Sequence, residues 1–309
     1  MILSVTLNPC VDHALFVKRL VVGDTNRVTT TETDAGGKGV NLSRVVAELG
    51  GRTVATGFLG GGPGAYVRKV LDAQGVLHDF IEIAGDTRLN FSVEDETKSP
   101  PTTLNEAGPE IQPREWEDLK EHLSRYAASA WWVALGGSLP PGVPPDAFAE
   151  LCRIAHQAGS KVLLDADGEP LRLGMEAGPD FIKPNAKEAG RLLGCDVATL
   201  DQARYAALEL RRRGPGIVVI SRGAEGAVLA YEDRVFRGVS PEVKVNSTIG
   251  SGDSLLGGML WAMGECKSPS EALFWGLAAG AATAATDGSE IARRPVVLEL
   301  LPHAQVEEM

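Results

Sequence analysis

The chain has 309 residues, 44% of them hydrophobic and 23% charged, and its 30 Lys plus Arg against 41 Asp plus Glu leave a formal net charge of -11. With no basic run to interrupt that balance, nucleic acid and anionic membranes are excluded as partners, and a phosphorylated ligand has to be held by a few local cations and backbone N–H groups. A chain of this length can bury about 75% of the surface its unfolded form exposes, enough for a large α/β domain with an added lid.

From the N-terminus, a β-branched strand at 2–7 leads into a polar, turn-rich stretch at 11–34. A helix at 40–49, a strand at 53–57 and a helix at 65–74 follow, then a second polar, strand-like stretch at 87–108. Beyond it helices at 113–129, 145–158, 186–193 and 200–213 alternate with strands at 131–135, 161–165, 181–183 and 217–221, and a last apolar helix runs from 254 to about 263. This βαβ order predicts an α/β fold with a mostly parallel sheet, helices on both faces, and ligands at the carboxyl ends of the strands. The stretches 11–34 and 87–108 read as short antiparallel excursions that together form one small β lid, leaving 1–10, 35–86 and 109–309 as the core.

No run of about 18 apolar residues occurs, and Met1 to Pro9 lack the basic end and long apolar region of a signal peptide, which predicts a cytoplasmic location. Cys10, Cys152, Cys195 and Cys266 show no Cys-x-x-Cys spacing and read as thiols, not as disulfides or zinc ligands. The five histidines are equally scattered.

The most informative segment is Ser247-Thr248-Ile249-Gly250-Ser251-Gly252-Asp253-Ser254, just ahead of the apolar helix. Its glycines let successive N–H groups point inward, and the positive end of the helix adds to their field, which makes an anion site. A carboxylate at Asp253 would repel a phosphate unless it served to take a proton from a hydroxyl attacking phosphorus. That chemistry is a kinase acting on an alcohol, although a capped turn explains the segment taken alone. Gly36-Gly37-Lys38-Gly39 fails the Walker pattern, yet Lys38 and Asn41 lie three apart where a helix begins and can face one ligand. Gly60-Gly61-Gly62-Pro63-Gly64 reads as a turn. Asn185 and Glu188 have the spacing of a helix cap, and the same spacing suits an amide oxygen and a carboxylate ordering the waters of Mg²⁺.

Seven motifs stand in register along nearly the whole chain: Asn8-Pro9-x-x-Asp12, Gly36-Gly37-Lys38-Gly39-x-Asn41, Thr87-Arg88-x-Asn90, Gly137-Ser138-Leu139-Pro140-Pro141-Gly142, Lys183-Pro184-Asn185-x-x-Glu188, Ser221-x-Gly223-x-x-Gly226-Ala227 and Gly250-x-Gly252-Asp253-Ser254. Together they resemble the phosphofructokinase B branch of the ribokinase-like carbohydrate kinases. The resemblance implies a three-layer α/β/α core with a β lid over the sugar. It implies Asp253 as the base, with Gly250, Ser251 and Gly252 as the anion hole for the transferred phosphoryl group. Asp12, Gly37 and Asn41 match positions that hold sugar hydroxyls. Arg27, Lys38 and Arg88 match basic positions that neutralise a phosphate already on the sugar, with Ser138 beside them. Lys183, Asn185, Ser221, Gly223 and Gly226 match the nucleotide side, and Asn185 with Glu188 matches the pair associated with Mg²⁺. ATP, Mg²⁺, a monovalent cation and a homodimer paired through the lid belong to the same implication.

A sugar phosphate is a dianion, and in a chain of this net charge only a local cluster such as Arg27, Lys38 and Arg88 offsets it. The glycine-lysine loop and Thr103-Leu104-Asn105-Glu106-Ala107-Gly108-Pro109 most resemble 1-phosphofructokinases and tagatose-6-phosphate kinases, and a 6-phosphofructokinase stays open. The expected reaction yields a ketohexose 1,6-bisphosphate. A non-catalytic sugar-phosphate sensor is the rival of another class; a dinucleotide-dependent oxidoreductase lacks its glycine fingerprint after the first strand. Three departures from the family pattern, at Gly136-Gly137, Asp167 and Arg222, bear on fine substrate and nucleotide preference.

Overall fold

Strands that are apolar on both faces have to lie between two layers of helices, and the β-branched runs do so here. The computed structural model describes residues 1–95, 101–288 and 290–309. In chain order its elements are β1 (Ile2–Thr6), β2 (Cys10–Val17), β3 (Val28–Gly36), α1 (Lys38–Glu48), β4 (Thr53–Leu59), α2 (Gly61–Ala73), β5 (Leu77–His78), β6 (Ile81–Glu82), β7 (Arg88–Asp95), β8 (Thr102–Asn105), α3 (Pro113–Ala127), β9 (Trp132–Gly136) and α4 (Ala147–Gln157). They continue with β10 (Lys161–Asp165), α5 (Gly168–Met175), β11 (Phe181–Ile182), α6 (Ala186–Leu193), α7 (Leu200–Arg212), β12 (Ile217–Ser221), β13 (Ala227–Tyr231), β14 (Arg234–Val239), α8 (Ser251–Gly264), α9 (Pro269–Ala284), α10 (Arg294–Leu300) and β15 (Gln305–Glu308).

The main sheet runs β15-β14-β13-β12-β11-β10-β9-β1-β4-β5, with β6 also on β4. It is parallel from β5 to β12 and antiparallel from β12 to β15. Leu3 and Val5 of β1 pack beneath α3, α4 and α7 through Leu119, Leu123, Phe148, Leu151 and Leu210. On the opposite face Ile2, Leu163 and Phe181 meet Leu42 of α1, Leu256 and Met259 of α8, and Leu273 of α9. The fold is therefore the three-layer ribokinase-like arrangement. Among the described residues no helix is long and apolar enough to cross a membrane.

The two polar stretches form one second sheet, ordered β3-β2-β7-β8. Its central pair, β2 and β7, is parallel and not antiparallel as the sequence suggested. Both segments leave the carboxyl ends of parallel strands and run outward together, so their mutual direction follows from the main sheet. Residues 96–100 of the predicted second excursion lie outside the described residues. Gly60 to Gly64, read as a turn, cap and open α2, where the missing N–H of Pro63 costs nothing.

Arg44 of α1 fastens the second sheet to the core. Its guanidinium pairs with Asp34 of β3 at 2.7 Å and donates to Ala35 O and Gln74 Oε1, both at 2.8 Å, with the Arg side chain 2% exposed. Removing one partner of such a pair strands a buried charge, so Arg44→Met is expected to cost about 3–5 kcal/mol. A thermal melt should fall by roughly 5–10 °C; an unchanged midpoint would show that the pair fastens nothing.

Candidate active site

Two cavities open along the carboxyl edge of the parallel strands, and the first turn of α8 stands between them. The first, of about 300 Å³, lies under the second sheet and is lined by Asp12, Gly37, Lys38, Asn41, Arg88, Ser138, Gly250 and Asp253 among others. The second, of about 820 Å³, is lined by Asn185, Ser221, Gly223, Gly226, Ser251 and Gly252, with an apolar wall of Val243, Val245, Leu277, Ala281 and Ala284.

Strand alternation builds the roof of the first cavity. Cys10 and Asp12 of β2 stand opposite Arg88 and Asn90 of β7, and Asn90 and Ser92 stand opposite Asn105 and Thr103 of β8. The period of two puts all of them on one face. Asp12 Oδ1 accepts from Asn90 Nδ2 at 3.0 Å and from the Cys10 thiol at 3.2 Å. Burial first, and then the Asp12 charge, push the Cys10 thiol well above its usual range, so it stays a neutral donor. A Cβ at Gly36 would overlap the Asp12 carboxylate, which gives that glycine its reason. Arg88 donates to Asn8 O at 3.2 Å, Glu106 O at 3.0 Å and Asn90 Oδ1 at 3.3 Å, all uncharged acceptors. These bonds fix its direction and leave its charge for a ligand.

The floor is electrostatic. Lys38, at the start of α1, reaches Asp165 Oδ1 at 3.0 Å, and Lys183 reaches the same atom at 3.4 Å. Burial alone would raise the Asp165 pKa, but Lys183 and Lys38 outweigh it and hold this carboxyl below the ordinary range. Asp253, also buried, accepts from Asn41 Nδ2 at 2.9 Å. Burial, then the nearby charge of Asp165, raise it to about 6, against the pull of Lys38 and the Asn41 bond. Gly250 enters α8 in the left-handed region, at φ 73°, a conformation that favours glycine.

On the nucleotide side Asn185 and Glu188 form the reciprocal cap that their spacing allows: Asn185 Oδ1 accepts from Glu188 N at 2.9 Å, and Glu188 Oε2 accepts from Asn185 N at 2.7 Å. The cap leaves one Glu188 oxygen outside these bonds. Among the described residues no group of three or more His, Cys, Asp or Glu could hold a metal ion unaided. Lys183 is not among the residues lining the second cavity; its Nζ lies beside Gly252, between the two cavities. Arg27 is exposed on the segment joining β2 and β3 and does not line the first cavity of its own chain. Arg222 turns to pair with Glu225 at 2.5 Å, and Asp167 caps α5 and pairs with Arg191 at 3.0 Å, so both departures act as supports outside the cavities.

Motif reading passed over Asp165, which the structure brings beside Lys38, Lys183 and Asp253, although its place at the carboxyl end of β10 was a usable signal. Asn90 and Cys10 were likewise recoverable from strand alternation with Asp12.

A helix N-terminus carrying a buried carboxylate between a polar pocket and a larger glycine-lined one defines a phosphotransferase with an alcohol acceptor. Residues 5–294 match the family described as pfkB family carbohydrate kinase, and the chain belongs to that family. It is 36% identical to a 1-phosphofructokinase of Rhodobacter capsulatus over 262 residues, covering 84% of this chain and 83% of that protein. Among solved structures it superposes on phosphofructokinase-2 from Escherichia coli, in complex with substrates and products, with a TM-score of 0.92 and 29% identity over 97% of this chain and 98% of the other. Ribokinase from Arabidopsis thaliana shares the fold, with a TM-score of 0.77 and 24% identity over 97% and 98% of the two chains.

A carboxyl whose folded pKa lies above its unfolded value loses stability as pH rises through that window. Asp253→Asn, which is neutral at every pH, should therefore raise the melting temperature at pH 7 by roughly 2–4 °C while cutting turnover by about 10²-fold or more. A calorimetric scan and a coupled assay on the same preparation check both; a lowered melting temperature would mean that the charge is stabilising where it stands.

Proposed function

We propose that this kinase transfers the γ-phosphoryl group of ATP to the free primary hydroxyl of a ketohexose phosphate, with fructose 1-phosphate as the acceptor, and yields the 1,6-bisphosphate. The observation that carries the reading is the division of one helical turn between two cavities: Gly250 and Asp253 line the smaller, Ser251 and Gly252 the larger. An acceptor hydroxyl in the first then meets a phosphate in the second at the amides and the base together.

Asp12 and Asn41 hold the sugar hydroxyls, Arg88 and Ser138 take the phosphate already present, and the second sheet acts as a lid that keeps water out. Asp253 accepts the hydroxyl proton as the new O–P bond forms and the bond to the β-phosphate oxygen breaks, releasing ADP. A carboxyl held at about 6 is a stronger base than an ordinary aspartate and is still mostly ionised at neutral pH. The apolar wall and glycine turns of the larger cavity suit a purine nucleoside, and the amides of Gly250, Ser251 and Gly252 suit the phosphate.

The free Glu188 oxygen beside Asn185 suits Mg²⁺ held through water and nucleotide phosphates, as that ion prefers. When bound, the ion would neutralise charge on the transferred phosphate. A monovalent cation is proposed on the likeness to phosphofructokinase-2 from Escherichia coli, one structure of which is a complex with potassium.

Arg27 stands near exposed Val21, Val22 and Val28 at the edge of the lid. We propose that two lids pair through this edge and that Arg27 completes the phosphate site of the other subunit. Phosphofructokinase-2 from Escherichia coli has a tetrameric inhibited form, so larger assemblies stay compatible with such a pair.

Turnover on fructose 1-phosphate, fructose 6-phosphate, tagatose 6-phosphate and free fructose ranks the acceptors. Fructose 1-phosphate is expected to lead by kcat/KM, and preference for the free sugar would overturn the role of Arg88. The acid limb of log kcat/KM should fall with unit slope about a midpoint near 6, because the base works only when deprotonated. A flat profile between pH 5 and 8 would remove Asp253 from that role. Mixing Arg27→Ala with Asp253→Asn subunits should restore activity that neither variant has alone; no recovery would place the action of Arg27 within its own chain.

A further inference from the structure

The proposed transfer uses Asp253 as base, but it leaves unexplained why a second carboxylate is buried beside it. Asp165 is 3% exposed, and its backbone is fixed at the end of β10, where its carbonyl accepts from Gly137 N at 3.1 Å. One carboxylate oxygen receives both Lys38 and Lys183. The other has no hydrogen-bond partner. Asp165, Asp253 and Lys38 together line a chamber of about 10 Å³ closed by Leu42, Leu163 and Leu256, on the order of the space of one water.

The two lysines outweigh the burial of this carboxylate, but its second oxygen is left without a hydrogen bond, a desolvation cost that packing does not repay. We infer that Asp165 is a positioning residue for phosphoryl transfer: it fixes two lysine ammonium groups at the passage between the cavities and lends its negative charge to keep Asp253 a strong base. This rests on the phosphotransfer reading and names a further residue of that site.

The argument is one of charge balance. Two lysines and two ionised aspartates make a neutral cluster before reaction. Once Asp253 takes the acceptor's proton the same four groups carry one positive charge, at the moment an anionic phosphoryl group crosses beside Lys183 and Gly252. Without Asp165 the cluster would already be positive at the start, Asp253 would hold its proton less tightly, and it would be the weaker base of an ordinary aspartate. Every other group that faces Asp253 is accounted for: Asn41 donates from α1, Cys10 and Asp12 lie on β2, Arg88 lies on β7 across the cavity, and Glu188 of α6 acts on Lys38.

The test uses the full chain without substrates. Carboxyl ¹³C NMR follows the titration of Asp253, its signal assigned by loss in Asp253→Asn, in the wild type, Asp165→Asn and Lys38→Met. Asp165→Asn should lower the midpoint from about 6 by roughly one unit or more, and Lys38→Met should raise it. The acid limb of kcat/KM should move in the same two directions, and Asp165→Glu should return it toward the wild type. An unmoved midpoint in Asp165→Asn, or a lower kcat with a fixed acid limb, would make Asp165 merely structural and overturn the inference. Should Asp165→Asn fail to fold by circular dichroism, Asp165→Ser, which also removes the charge, decides by the same downward shift. If the wild type phosphorylates no sugar phosphate the functional reading falls, while the NMR titration still decides what Asp165 does to Asp253.

Discussion

Everything in this molecule is arranged around a carboxylate held out of water at the positive end of a helix. In water a proton would sit on such a group only in acid, and hydrated phosphate would stay away from it. Burial raises its proton affinity, while Lys38, Asn41 and the first amides of α8 keep it ionisable. The balance of these opposed effects, not any one of them, leaves a carboxylate of raised proton affinity at a helix end suited to an anion.

The fold supplies what that balance requires. A parallel sheet brings the ends of β1, β9 and β10 to one edge, so that Thr6, Gly137 and Asp165 arrive near each other without any local sequence relation. The second sheet contributes an alternating polar face in which Asp12 is held by Cys10 and Asn90. Its seam to the core is the Arg44 pair with Asp34, a rigid fork and not a loose loop. The polar cavity under the second sheet and the larger glycine-lined cavity thus lie at different strand ends and meet at a single helical turn.

Much of this was legible in the sequence, and the exceptions have physical causes. The β10, β12 and α6 bounds coincide with the predicted 161–165, 217–221 and 186–193, because a β-branched run or a cap marks each end. α9 carried no amphipathic period, since small and apolar residues run all round the helix and it is buried on most sides. Its capping box, Ser268 with Glu271 ahead of an apolar run, was the available clue. The β13–β15 edge escaped notice because β13 and β14 form a short hairpin directly after β12, and β15 is a mostly exposed strand of four residues. The motif residues Asp12, Lys38, Asn41, Arg88, Asn185 and Asp253 line the two cavities, whereas residues that meet only in space were not foreseen. Asp165 meets two lysines at sequence distances of 127 and 18, a relation that no local motif records.

The hydrogen bond between Asn41 and Asp253 spans 212 residues of chain. A nascent polypeptide therefore displays Gly36 to Gly39 and the roof strands long before α8 emerges and docks on α1. Cleavage anywhere between α1 and α8 leaves Asn41 and Asp253 on separate pieces, held together only by non-covalent contacts such as the packing of Leu42 against the helices behind it.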